Sequence, residues 1–281
     1  MRNKTAVRNQ TLQRLLTHTR YEVLPTATTE EKVVASVPKD VAVTVTASGT
    51  KGLEATLALA ENLAGHGYAV VPHLAARIIR DRAELTEIRD RLGASGITSI
   101  FVPGGDVDPV GDYPDAFSLL EDLHTLAKPF SHVGIAGYPE THPKITDDLT
   151  VQSMWDKRRH ATHVVSNLTF DPDAIRAWVE RMRGRGITMP LLLGMPGPID
   201  RAKLLTMATK IGVGESTRFL AKNKGTFMRL AAPGGFTGET FLNDCAPVAA
   251  KPENFIEGLH VFTFNQVAET EAWRQDLLAR L

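Results

Sequence analysis

Glu22 lies inside the apolar pentapeptide YEVLP (21–25), where burial of a carboxylate is energetically unfavourable. Burial against hydrophobic neighbours disfavours the charged form of a carboxyl group and raises its pKa, so that the group can donate a proton near neutral pH. A strand glutamate that pairs with a helix would give the same pentapeptide. The sequence therefore makes Glu22 a candidate general acid and leaves the structural alternative open.

A second carboxylate, Asp106, closes the segment FVPGGD (101–106). Gly104 and Gly105 allow the backbone to turn sharply and to approach a ligand closely. The same three residues are also common in ordinary turns. Asp106 is thus a candidate ligand-facing group at the end of an apolar run.

The segment GIAGYPETHP (134–143) begins as a buried strand and ends in Tyr138, Glu140 and His142. Its two prolines limit the backbone conformations available to these side chains. We interpret the segment as a rigid rim that shapes a ligand cleft. For Glu140, pairing with a neighbouring loop is an equally good interpretation.

Other sites receive little support from the spacing of residues. No His-Glu-x-x-His helix occurs, and His160 and His163 straddle the end of a predicted helix, so no metal site is expected. Gly212-Val213-Gly214 lacks the third glycine of a dinucleotide fingerprint. The basic cluster at 157–159 is either a solvated helix face or a contact for a phosphate or carboxylate.

The composition is that of an ordinary soluble globular protein. The chain has 281 residues, 43% of them hydrophobic, with 32 basic and 32 acidic side chains. A neutral balance argues against nucleic-acid binding, and no apolar stretch is long enough to suggest a membrane span. The lone Cys245 cannot form an internal disulfide, which fits a reducing, cytoplasmic location. Small-molecule chemistry is the favoured function.

Short apolar runs alternate with longer helical patterns eight times. The runs are 21–24, 41–46, 69–73, 97–103, 132–138, 163–170, 189–195 and 259–264. This alternation predicts a (β/α)8 TIM barrel, although a doubly wound open sheet would also produce it. Polar groups favour the barrel, because they end nearly every run and a barrel gathers them at one mouth. These groups are Glu22, Thr44, Thr46, His73, Asp106, Tyr138, Glu140 and Asn167.

Other patterns complete the predicted organisation as a single domain over 1–281. Leucines at 12, 15 and 16 predict an extra N-terminal helix, while the basic, acid-free stretch 1–20 faintly resembles a transit peptide. Asp171-Pro172 is typical of a helix start. The long interval 196–258 is interpreted as an insertion between strands 7 and 8, over the active face, with helical patterns at 200–211 and 215–223 and a glycine-rich piece at 231–238.

Taken in order, six segments resemble the methylenetetrahydrofolate reductase family over nearly the whole chain. They are YEVLP, VPHLAARI, VPGGD, GIAGYPETHP, NLTFD and HVFTFN, of which GIAGYPETHP is the most specific. The resemblance implies a (β/α)8 barrel that reduces 5,10-methylenetetrahydrofolate to 5-methyltetrahydrofolate in one-carbon metabolism and methionine biosynthesis. It implies Glu22 as the general acid that opens the imidazolidine ring to a 5-iminium cation. It implies Asp106 as a second catalytic residue, which faces the pterin and stabilises that cation as it forms. Asp106, Asn167, Tyr138 and Glu140 are candidate substrate contacts, with Asn167 standing where the family usually has glutamine.

The resemblance also implies a cofactor site, from which this sequence departs. Thr44, His73 and Tyr113 still resemble positions of a flavin site. The candidate cofactor-binding residues are Thr44, His73, Gly104, Gly105, Tyr113, His142, Lys157 and Arg158. Members that hold FAD have a basic residue where this chain has Gly104, and a tyrosine where it has Val45. We therefore expect direct hydride transfer from NADH or NADPH without a flavin, with an FAD-dependent ping-pong reductase as the alternative.

Two further interpretations belong to other classes. A lyase or aldolase barrel would need a strand-end lysine or a metal site, and the sequence suggests neither. A non-catalytic folate-binding barrel would bind the ligand without turnover. The oligomeric state is not predicted.

Overall fold

The chain alternates strand and helix throughout the part that the structure describes. The computed structural model describes residues 2–47, 52–126, 130–140, 146–198 and 238–281. Its strands are β1 (Thr19–Val23), β2 (Ala42–Val45), β3 (Val70–Pro72), β4 (Ser99–Val102), β5 (His132–Gly137), β6 (His163–Ser166), β7 (Leu191–Pro196) and β8 (Ile256–Phe262). Each strand overlaps one of the eight predicted runs.

Helices follow the strands in sequence. They are α1 (Arg2–Thr17), α2 (Thr29–Ser36), α3 (Glu54–Gly65), α4 (Arg82–Ala94), α5 (Ala116–Thr125), α6 (Asp147–Lys157), α7 (Pro172–Gly184), α8 (Gly238–Ala249) and α9 (Val267–Ala279). The predicted start of α7 is confirmed, because the Asp171 carboxylate accepts hydrogen bonds from the amides of Asp173 and Ala174.

The strands form one parallel sheet in the order β3-β2-β1-β8-β7-β6-β5-β4. Its two outer strands meet through a parallel bridge between His73 and Phe101, and the Leu74 amide donates to the Phe101 carbonyl at 2.8 Å. The sheet is thus a nearly closed barrel. The predicted (β/α)8 fold is confirmed, and the open-sheet alternative is wrong.

Two apolar layers lie on either side of the strands. The barrel interior holds Val71, Phe101, Val165 and Leu192, with Ala136 against them. The larger layer lies between the strands and the helices, where the Tyr21 hydroxyl donates to Glu271 of α9. Since successive strand side chains point to opposite faces, Arg20 and Glu22 face the barrel interior.

The predicted N-terminal helix is confirmed as α1. Its leucines 12, 15 and 16 are buried, and the Arg14 guanidinium donates to the carbonyls of Ile256 and Ala249. These contacts fasten α1 to the start of β8 and to α8. The helix therefore packs on the barrel wall.

The long connection between β7 and β8 is described only from residue 238, where α8 begins. The predicted helical patterns at 200–211 and 215–223, the triplet 212–214 and the glycine-rich piece up to residue 237 lie outside the described residues. Within the described ranges, no helix is both long enough and apolar enough to cross a membrane.

Candidate active site

The end of β1 is fixed by the residues that follow β8. The amide and the hydroxyl of Thr263 both donate to the Glu22 carbonyl, at 3.2 and 2.6 Å. The Asn265 side chain accepts from the Leu24 amide at 2.8 Å and donates to the Leu24 carbonyl at 3.1 Å. Asn265 has a φ of 59°, a left-handed conformation that asparagine adopts more readily than most residues. The YEVLP and HVFTFN segments thus act together to set the backbone of Glu22.

The Glu22 carboxyl lies in the barrel interior with its side chain 15% exposed. Its Oε2 is 2.9 Å from Nε2 of His260 and 3.6 Å from Nε2 of His73. Burial raises the pKa of Glu22 to about 7, and the nearby His73 opposes that rise. Glu22 therefore keeps its proton to near neutral pH, as a general acid must.

Neither imidazole forms an ion pair with Glu22 at neutral pH. Burial lowers the pKa of His73 to about 4, although the charge of Glu22 acts in the opposite direction. Burial, followed by the positive charge of Arg20, lowers the pKa of His260 to about 3. Both rings are neutral when Glu22 titrates. The alternative in which Glu22 pairs with a helix is wrong, because its partners come from β8 and the end of β3.

Several polar atoms around Glu22 are buried without a hydrogen-bond partner among the described residues. They are Oγ1 of Thr44, Oγ1 of Thr46, Nε2 of His73 and Nδ1 of His260. Thr44 lies level with Glu22 across the β1–β2 pair. Buried polar groups in proteins are almost always paired. This cluster therefore suits a ligand that brings polar groups of its own.

The loop after β4 presents Asp106 at the same end of the barrel. Gly105 has a φ of 93°, which favours glycine, and Asp106 is exposed. Arg77, which follows β3, donates from Nε to the Pro114 carbonyl at 2.8 Å and lies beside Gly105. Arg77 thereby fixes this loop, a role that the sequence analysis missed.

Tyr138 and Asp106 are brought near each other. Burial raises the pKa of Tyr138 to about 12, and the negative charge of Asp106 adds to this effect. Tyr138 follows β5 and Asp106 follows β4, so two adjacent strand ends contribute to one region. The phenol therefore stays protonated at every physiological pH.

Glu140 is occupied by a neighbouring loop. Its Oε1 accepts from the Thr169 hydroxyl, from the Phe170 amide at 2.9 Å and from the Asp171 amide at 3.3 Å. Of the two interpretations of Glu140, the structure shows the loop pairing. These bonds join the segment after β5 to the segment after β6.

Asn167 is the first residue after β6, and it is exposed. Its amide donates to the Gly137 carbonyl at 2.7 Å, and its own Oδ1 accepts from the Leu168 amide at 2.9 Å. The side-chain NH2 group makes no hydrogen bond to a described residue. Asn167 can therefore offer a donor to a ligand.

Two other predicted cofactor residues, Tyr113 and Arg158, have partners of their own. The Tyr113 hydroxyl donates to Asp122 at 2.8 Å, and the side chain is 3% exposed. Burial lowers the pKa of Lys157, and Arg158 lies 3.7 Å over the ring of Trp155. In the described ranges, no hydrogen bond or ion pair joins these residues to Glu22. His142 lies outside the described residues.

Three interior residues near Glu22 were not predicted: Arg20, His163 and His260. Nη1 of Arg20 is 3.2 Å from Nε2 of His163, across the barrel. One signal was available, since His260 stands between the outward-facing Leu259 and Val261 of β8. Alternation along a strand places such a residue inside the barrel. No group of three or more His, Cys, Asp or Glu among the described residues has metal-site geometry.

Comparisons with known proteins give structural matches and a family match. A solved structure of a Burkholderia cenocepacia protein, provisionally described as a lyase/mutase, is 14% identical with a TM-score of 0.48. The match covers 98% of this chain and 86% of the Burkholderia protein. The sequence model for "Methylenetetrahydrofolate reductase" matches residues 20–227, well over half of the chain.

Proposed function

This chain belongs to the methylenetetrahydrofolate reductase family, and from that membership we propose that it reduces 5,10-methylenetetrahydrofolate to 5-methyltetrahydrofolate with hydride from NAD(P)H. The membership itself makes the chain an oxidoreductase that acts on a folate. The specific reaction, the hydride donor and the residue roles are our proposal. In it, one barrel domain over 1–281 acts in cytoplasmic one-carbon metabolism and supplies methyl groups for methionine biosynthesis.

The observation that carries the proposal is the buried carboxyl of Glu22 in the barrel interior. Its pKa of about 7 lets it hold a proton at neutral pH and release it to a base. Its Oε1 makes no hydrogen bond to a described residue, whereas Oε2 contacts His260. Oε1 is thus the oxygen available to a substrate.

In the proposed first step, Glu22 donates its proton to N10 of the folate. The bond between N10 and the bridging carbon breaks, and its electron pair stays on N10. The bridging carbon becomes the CH2 of a cationic iminium at N5. Hydride addition to that carbon then gives the methyl group, and Glu22 regains a proton from solvent.

Asp106 would stabilise the cation that this step creates. A carboxylate fixed near a developing positive charge favours the transition state more than the neutral ground state. Asp106 is held by the loop that Arg77 anchors, and Tyr138 lies close to it. Asn167 would donate to the pterin from its unused NH2 group. Glu140 would act by holding the loop after β6, since that loop occupies its oxygens.

The hydride donor is proposed to be NADH or NADPH acting without a flavin. Thr44 and His73, with their unpartnered buried atoms, would hold polar groups of the donor. The flavin-binding members suggested by the resemblance carry a basic residue at the position of Gly104, where this chain has no side chain. A lost charge-assisted contact is worth roughly 1.5–3 kcal/mol, or about tenfold or more in affinity. An FAD-dependent reaction on the same site remains the second candidate.

The function is tested by incubating the purified chain with methylenetetrahydrofolate and NADH, and by following NADH loss together with 5-methyltetrahydrofolate formation. We expect turnover without added FAD and no flavin absorbance. The variant Glu22→Gln should bind folate but form methyl product at least 100-fold more slowly, because general acids contribute roughly 10²–10⁴-fold. Folate binding without turnover in the unaltered chain would instead indicate a non-catalytic barrel.

A further inference from the structure

His260 contacts the side chain that carries the proposed proton. It lies in β8, is 1% exposed, and places Nε2 at 2.9 Å from Oε2 of Glu22. The ring packs against Phe262, with the two ring centroids 4.9 Å apart. The imidazole is thus fixed by its strand and by an aromatic neighbour.

The surroundings of His260 indicate which ring nitrogen carries the hydrogen. Nδ1 is buried and has no hydrogen-bond partner in the described part of the chain. A buried N–H without an acceptor is rarer in proteins than a buried acceptor without a donor. The hydrogen of the neutral ring therefore lies on Nε2, which makes His260 the donor and Oε2 of Glu22 the acceptor.

We propose that His260 is a positioning residue for the general acid: its Nε2–H binds Oε2 of Glu22 and thereby keeps the transferable proton on Oε1. The same donor then stabilises the carboxylate that remains after transfer. This inference rests on the proposed function, because it assigns His260 a part in the proton transfer from Glu22. It predicts that the bond strengthens during the reaction, since a charged acceptor binds a donor more tightly than a neutral one.

Two titratable side chains lie beside the carboxyl, and the positive charge of Arg20 acts on both of them. His260 comes from β8, His73 from the residue after β3, and Arg20 from β1 itself. His73 is neutral near pH 7, and its Nε2 is 3.6 Å from Oε2, beyond hydrogen-bond distance. Arg20 keeps its charge, because burial lowers its pKa only to about 10. His260 is therefore the group that binds the carboxyl directly.

The test compares His260→Leu, which removes the donor, with His260→Gln, whose side-chain NH2 can replace it. The pKa of Glu22 is measured by NMR on protein labelled with ¹³C at the glutamate carboxyls, with Glu22→Gln identifying the signal. In His260→Leu we expect that pKa to rise by roughly 1–2 units, because a donor to the charged form is lost. We expect kcat to fall about tenfold or more, with a smaller change in KM for folate. His260→Gln should recover much of both.

An unchanged Glu22 pKa in His260→Leu, or equal loss of kcat in both variants, would show a merely structural role. If His260→Leu does not fold, ¹⁵N NMR of the unaltered protein decides, since a hydrogen on Nδ1 rather than Nε2 overturns the proposal. Absence of turnover in the unaltered protein would refute the reductase function instead. The NMR titration would still show whether His260 binds Glu22.

Discussion

Nε2 of His73 lies 3.6 Å from Oε2 of Glu22, although the two residues come from strands that are not neighbours in the sheet. The pairing of His73 with Phe101, which joins the outer strands, also fixes the imidazole at the end of β3. Burial raises the pKa of the Glu22 carboxyl to about 7 and lowers the pKa of the His73 imidazole to about 4. Only the carboxyl therefore changes its charge near pH 7, while the imidazole stays neutral. Near neutral pH, the charge of this pair is therefore controlled by Glu22.

The first prediction concerns the pH dependence of kcat/KM for the folate. Glu22 must be protonated to act as an acid, so kcat/KM should be flat from roughly pH 5 to 6.5 and fall about tenfold per pH unit well above 7. His73 and His260, with pKa values of about 4 and 3, should add no step in that range. Initial rates measured at a constant ionic strength give the profile. A rise in kcat/KM from pH 6 to 8 would exclude Glu22 as the general acid.

The second prediction concerns stability. The native pKa of Glu22, about 7, exceeds the unfolded value of 4.5, so the native state binds more protons between these two pH values. The free energy of unfolding attributable to Glu22 therefore falls as pH rises through that interval. In Glu22→Gln this loss disappears. The free energy of unfolding of the variant minus that of the unaltered protein should therefore be roughly 1–3 kcal/mol larger at pH 8 than at pH 5, as measured by urea unfolding.

The matched control for this experiment is Glu257→Gln, because Glu257 is an exposed residue of β8. Both substitutions replace a carboxyl group with an amide of the same size, so the comparison isolates the effect of burial. If Glu22→Gln behaves like Glu257→Gln, the Glu22 carboxyl is not desolvated.

Much of the fold could be predicted because it follows from local patterns. Eight apolar runs gave eight strands, and Asp171-Pro172 gave the start of α7. Glu22 could be singled out because a carboxylate inside an apolar strand is unusual by itself. These features depend on neighbours within a few residues.

The partners of Glu22 could not be predicted in the same way. His260 is far from Glu22 in sequence, and their contact depends on the register in which Glu22 pairs with Phe262. The hydrogen bonds of Glu140 depend similarly on how the loop after β6 returns past β5. Tyr113 resembles a flavin-site residue in sequence, but in the structure its hydroxyl binds Asp122. Register and loop paths are properties of the whole fold.

The third prediction concerns flavin binding at Gly104. A Cβ added there would meet no atom within 4 Å, so Gly104→Arg should fold normally. If the missing basic residue explains weak flavin binding, the variant should bind FAD about tenfold more tightly, as judged by quenching of flavin fluorescence. Gly104→Gln supplies similar length without the charge and should bind FAD much as the unaltered protein does. A stoichiometric flavin in the unaltered protein would defeat this explanation.

The last prediction explains why β5 ends in glycine, immediately before Tyr138. A Cβ at Gly137 would lie 2.5 Å from Cζ2 of Trp178 and 2.9 Å from Cγ1 of Val164. Trp178 is 1% exposed and packed in the layer between strands and helices, so it has no room to retreat. Gly137→Ala should therefore lower the free energy of unfolding by roughly 1–3 kcal/mol. Because any backbone shift is passed to Tyr138, KM for the folate should rise as well.

Gly93→Ala is the matched control in urea unfolding, because Gly93 is exposed within α4 and a Cβ there meets nothing within 4 Å. Alanine is the better helix former, so this variant should be more stable by roughly 0.5–1 kcal/mol. The two substitutions add the same methyl group and should change stability with opposite signs. Equal effects would mean that the contact between β5 and α7 is looser than the distance to Trp178 indicates. In that case the position of Tyr138 would not depend on a glycine at 137.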